Sequence, residues 1–130
     1  ALALVRKLWT DAGCRLFETT PADHDRAIAR ISHLPHAAAA AIVSAALDSD
    51  PSALRFASTG FRDTTRVASA PPSLWTGILL DNHEEVSHAI ADLQTRLGEL
   101  KVALDRGDRH AIEAFLTHAA TLRATMNANH

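Results

Sequence analysis

The sequence predicts an all-α protein, a helical bundle preceded by a short helix and a short strand. Three observations carry this expectation. Apolar residues recur at helical spacing through most of the 130 residues, and helix-type caps and stops bound those stretches. Strand-like alternation is confined to one segment, CRLFETT at residues 14–20. With 47% hydrophobic residues the chain can bury one core, so one globular domain is the starting expectation.

Residues 2–12 set Leu4, Val5, Leu8 and Trp9 on one helical face, and Gly13 is a natural stop. Leu16 and Phe17 in CRLFETT are flanked by Arg15 and Glu18, which reads as a short strand. Helix, glycine and strand together look like the tail of an α/β unit whose sheet lies elsewhere. The opening residues resemble no signal peptide, and the chain reads as a piece of something longer.

A long helix is expected from Thr20. Its hydroxyl can cap, Pro21 suits the first turn, and Asp23 is favoured at the positive end of the helix dipole. Ile28, Ile31, Ala38, Ile42, Ala45 and Ala46 carry the apolar face to about Leu47, where Asp48-Ser49-Asp50-Pro51 breaks it. Pro35 has no N–H for the carbonyl of Ile31, so the helix should kink and widen there. Gly60 marks a turn, residues 61–68 a short helix, and Pro71-Pro72 its end, with a further helix from about Ser73. Val86, Ile90, Leu93, Leu97, Leu100 and Leu104 then form a heptad-like seam. Arg106-Gly107-Asp108 reads as stop, turn and new cap. The last helix groups Ile112, Phe115, Leu116, Ala119 and Leu122 on one face.

Composition narrows the function. A net charge of −2 gives no strong field to draw nucleic acid or an anionic membrane. The single cysteine, Cys14, excludes an internal disulfide framework and suits a reducing, cytoplasmic setting. No apolar run reaches the ~18–20 residues needed to span a bilayer. None of the 5 glycines forms G-x-G, so neither a dinucleotide fingerprint nor a phosphate loop lies within these residues.

Two segments could carry chemistry. His33 and His36 in SHLPH stand at i, i+3, the minimal geometry for two metal ligands, with His24 or Asp25 as a third. Without a glutamate base or cysteine partners, the same spacing favours polar-contact histidines instead. In GFRDTTR, residues 60–66, Arg62 and Arg66 share a face with Asp63 between them. That is either a solvated face with a local ion pair, or an anion site in which a guanidinium fork meets a carboxylate. Trp75 is a core anchor or the wall of an apolar pocket.

Taken together, DHDRAIARISHLPH, GFRDTTRVASAPPSLW and ILLDN resemble the C-terminal helical domain of the prephenate/arogenate dehydrogenase family. The matching positions are His24-Asp25, residues 32–36, Phe61, Asp63, Thr65-Arg66 and Trp75. Ser58-Thr59-Gly60 departs from the consecutive glycines of many relatives.

The resemblance implies a 6-phosphogluconate dehydrogenase C-terminal-like helical bundle for residues 21–130, serving substrate binding and dimerisation. Residues 1–20 would be the helix-and-strand end of a Rossmann domain. It implies oxidative decarboxylation of prephenate to 4-hydroxyphenylpyruvate in tyrosine biosynthesis, with arogenate dehydrogenase as the alternative. NAD or NADP and the catalytic histidine would belong to the N-terminal domain, leaving no catalytic, cofactor-binding or metal residue in this chain.

For the substrate, it implies Arg66 as carboxylate ligand, with His36, His33, Trp75 and Asp63 around it. His24, Ser32 and Arg62 would stand behind them or at a domain contact. A homodimer through the helical domain and tyrosine as a candidate inhibitor complete the expectation, with no nucleic-acid or membrane partner. A non-catalytic helical interaction module is the competing reading from another class.

Overall fold

The computed structural model describes residues 2–128, and among them every regular element is helical. The first helix, α1, spans Leu2–Asp11. Gly13, at φ +80°, closes it: the Cys14 N–H donates to the Trp9 carbonyl at 3.0 Å and the Gly13 N–H to that of Thr10 at 2.9 Å. This is the Schellman arrangement, which needs a residue comfortable in the left-handed region.

Residues 14–20 do not form the expected strand, so the Rossmann-strand remnant is absent from the described residues. The physical reason is pairing. An extended segment becomes a strand only when a neighbour takes its N–H and C=O groups, and none is present here. An exposed ion pair, Arg6 Nη2 to Glu18 Oε2 at 2.6 Å, ties this segment back to α1.

Helix α2, Pro21–Ile28, starts as its sequence requires. The Thr20 hydroxyl accepts from the Asp23 N–H at 3.1 Å and donates to the Asp23 carboxylate at 2.7 Å. A π-helical turn, Ala29–His33, follows, and the Leu34 N–H donates to the carbonyl of Ala29 five residues back. Helix α3 continues from Leu34 to Leu47. The expected widening therefore falls on the turn just before Pro35, where the missing N–H and the ring's clash with the preceding turn are absorbed.

The break after Leu47 contains an unforeseen 3-10 turn, Pro51–Phe56, capped by the Asp50 carboxylate. Helix α4, Thr59–Thr65, begins two residues earlier than expected and passes into a 3-10 turn at Arg66–Ser69. Helix α5, Pro72–Asp81, uses Pro72 in its first turn rather than as a terminator. Helix α6 runs from His83 to Asp105, and α7 from Arg109 to Ala128.

The chain divides into two compact units, Ala1–Glu85 and Val86–His130. In the first, α3 packs against α4 and against both 3-10 turns. Its alanine run permits close approach, and Ala29 and Ala39 are buried together with three polar residues, His33, His36 and Thr65.

In the second unit, Gly107 at φ +63° makes another Schellman turn, with the Asp108 N–H on the Ala103 carbonyl at 2.9 Å. The Asp108 carboxylate then caps α7 through the Ala111 N–H at 3.0 Å. Along the seam, Leu93 and Leu100 are half-buried, whereas Leu97 and Leu104 are exposed, as are Leu116, Leu122 and Met126 of α7. No helix among the described residues is long and apolar enough to cross a membrane.

Candidate functional site

The site is built on the π turn. Its last residue is His33, and His36 lies in the first turn of α3, so the widened backbone sets both imidazoles into the buried interior of their unit. Trp75, half-buried on α5, meets both. The His36 ring stacks on the indole with centroids 3.5 Å apart and planes 9° from parallel. His33 approaches the same indole edge-on, with centroids 6.2 Å apart and planes at 86°. A flat stack and an edge contact on one ring hold both imidazoles in defined orientations.

Neither ring is sealed off. His36 makes no side-chain hydrogen bond among the described residues, and His33 makes one, through Nδ1. No fully buried side-chain nitrogen or oxygen among them lacks a partner, so the remaining imidazole nitrogens keep some contact with solvent.

The partner of His33 is Asn82, at the junction of α5 and α6. Its Nδ2 donates to the carbonyl of Asp25 at 2.8 Å and lies 3.5 Å from His33 Nδ1. Sequence reasoning did not single out Asn82. The one signal was its place in ILLDN, an amide directly after an apolar helix.

Arg66 begins the 3-10 turn that packs against α3, the helix carrying His36. Thr65 before it is buried, sits at φ −100° and ψ 0°, and donates its hydroxyl to the Phe61 carbonyl at 2.7 Å. That bond fixes the point where α4 tightens into 3-10, and so fixes where the Arg66 side chain leaves the backbone. Arg62, Asp63 and Arg66 are all exposed, and none forms an ion pair among the described residues. Both guanidinium groups are therefore free to take an anion.

The remaining expected residues make no ring contact or hydrogen bond with the ring cluster. Ser32 is exposed on the π turn, and His24 is exposed, with Nδ1 3.1 Å from its neighbour Asp25 Oδ1. Among the described residues, no three histidine, cysteine or acidic side chains gather closely enough to share a metal ion. His24 thus does not join His33 and His36 in a ligand set.

Comparison with known proteins gives the family of the chain. Residues 20–119 match the family model described as prephenate dehydrogenase, dimerization domain. The chain is 33% identical over 107 residues to a prephenate dehydrogenase of Lactococcus lactis subsp. cremoris, covering 80% of this chain and 30% of that protein. It superposes with TM-score 0.88 and 31% identity on Synechocystis arogenate dehydrogenase, covering 96% of this chain and 47% of that one. TM-score and identity are the same, 0.88 and 31%, for the A. aeolicus prephenate dehydrogenase in complex with hydroxyphenyl propionate and NAD+, with 96% and 45% covered. The chain thus spans less than half the length of these relatives.

Proposed function

Because this chain belongs to the prephenate dehydrogenase dimerization-domain family, we propose that it forms the substrate wall and dimer contact of such an enzyme. The reaction is the oxidative decarboxylation of prephenate to 4-hydroxyphenylpyruvate, a cytoplasmic step of tyrosine biosynthesis. The observation that carries the reading is the His33–His36–Trp75 cluster, two oriented imidazoles on one indole with ring nitrogens that keep some contact with solvent.

Prephenate is a dianion carrying a ring hydroxyl. Arg66 binds a carboxylate with its planar fork of donors, and His33 and His36 hydrogen-bond the substrate's oxygens. Trp75 holds the imidazoles and supplies an apolar wall. Arg62 and Asp63 stand at the mouth of the cleft, and His24 and Ser32 at a domain contact. Aromatisation on loss of carbon dioxide drives the chemistry, so these side chains serve chiefly to orient the substrate and exclude water. The hydroxyphenyl propionate held by the A. aeolicus enzyme shares the hydroxylated aromatic ring and side-chain carboxylate of the proposed product.

In this reading the nicotinamide cofactor belongs to another part of the enzyme. Dinucleotide pyrophosphates rest on a strand-to-helix turn, and the described residues contain no strand and no G-x-G. We assign NAD or NADP, with the catalytic histidine, to residues of the nucleotide-binding domain that this chain does not contain. Residues 1–20 belong to its edge and residues 21–130 to the helical domain. Dimerisation is supported by the exposed leucines of α6 and α7, which leave an apolar surface uncovered in the second unit.

A second reading, arogenate as substrate, is favoured by the equal likeness to the Synechocystis enzyme. Steady-state assays of the enzyme containing this chain, with prephenate and arogenate against NAD and NADP, decide between them. Turnover of neither substrate would overturn the assignment.

A further inference from the structure

The geometry points to Asn82 as the residue that sets the tautomer of His33, so that the ring presents an Nε2–H donor to the substrate. The role in substrate binding rests on the function proposed above; the control of the tautomer does not.

The carbonyl of Asp25 can only accept a hydrogen bond, so the atom 2.8 Å from it must be the amide nitrogen of Asn82. This removes the usual ambiguity about which way an asparagine faces. The same nitrogen lies 3.5 Å from His33 Nδ1, and an amide NH2 has a second hydrogen to give. Two N–H groups facing each other would leave a donor without an acceptor. Nδ1 is therefore the bare, accepting nitrogen, and in the neutral ring the proton lies on Nε2.

Nε2 has no partner among the described residues and is not sealed from solvent. It is thus a donor with an unfilled acceptor position, suited to a carboxylate or hydroxyl oxygen. The edge contact with Trp75 fixes the plane of the ring, and Asn82 fixes which nitrogen carries the proton. Asn82 also ties the α5–α6 junction to α2 through Asp25, which holds the amide itself in place. It acts through His33 and is a positioning residue.

The test reads the proton directly. Long-range proton–nitrogen correlation spectra of this chain labelled with nitrogen-15, with His33 assigned by a His33→Gln variant, should show Nδ1 bare and Nε2 protonated. Asn82→Asp loses the bond to the Asp25 carbonyl and offers an acceptor in place of the donor, so Nδ1 should become protonated. Asn82→Ala should leave a mixture of tautomers. In the whole enzyme, both variants should lower kcat/KM about tenfold, while thermal melts confirm that they fold.

A His33 protonated on Nδ1 in the unaltered chain, or a pattern unmoved by both substitutions, overturns the assignment. The expected spectra with unchanged kcat/KM would keep the tautomer control and overturn its role in substrate binding. Failure of the substrate reading itself would show separately, as an enzyme that turns over neither prephenate nor arogenate.

Discussion

The imidazole of His36 lies flat on the indole of Trp75, with ring centroids 3.5 Å apart and planes 9° from parallel. This contact joins the first turn of α3 to α5. It links the folding of the first unit to the shape of the proposed cleft, because the same two rings pack within the unit and, in the function proposed above, face the ligand. Stacking of this kind contributes about 1 kcal/mol beyond the area it buries. A double-mutant cycle of His36→Ala and Trp75→Ala, read by urea unfolding, should give a coupling of about 1 kcal/mol. A coupling near zero would mean that the stack contributes nothing to stability.

Arg66 is expected to act on binding. Truncation by Arg66→Ala in the whole enzyme should raise KM by the equivalent of about 2–3 kcal/mol with little change in kcat, since the carboxylate is held in both ground and transition states. Arg66→Lys should recover only part of this, because an ammonium lacks the planar fork. An unchanged KM would assign the carboxylate to another residue.

The exposed leucines predict association. Light scattering at micromolar concentration should report a dimer, and Leu97→Glu with Leu122→Glu should convert it to a monomer of unchanged helix content by circular dichroism. Both side chains are more than half exposed in the isolated chain, so a charge there costs little until a partner covers it. A monomeric parent chain would remove the interface from these helices.

Two glycines should respond with opposite sign. Gly107 sits at φ +63° with open space where a methyl group would stand, so Gly107→Ala costs backbone strain alone, about 1 kcal/mol. Gly77, inside α5 and also in open space but without a positive φ, should become more stable as alanine, by about 0.5–1 kcal/mol. Thermal melts of the two variants check both signs, and a shift in the same direction for both would contradict the account of the Gly107 turn.

Much of this fold is legible in the sequence, and the legible parts share a physical character. The Thr20 cap, the stops at Gly13 and Gly107, the Asp108 cap and the loosening near Pro35 all depend on groups within one or two turns of each other. The misread part, CRLFETT, has strand-like alternation but no neighbouring strand, and alternation alone does not supply one. The site was half legible. SHLPH and Trp75 stood out by residue type, whereas nothing local to Asn82 indicates that its amide reaches Asp25 and His33.

The sequence by itself determined the helix boundaries at Thr20, Gly13, Gly107 and Asp108, because capping and left-handed glycine turns are settled by the adjacent backbone. It also carried, in SHLPH and FRDTTR, the residue types of the site. Only the tertiary structure decided that His36 would lie on Trp75, that His33 would meet the same ring edge-on, and that Asn82 would close on both His33 and Asp25. These contacts join residues far apart in the chain, and only the folded first unit brings them together, since each group alone would be satisfied by water.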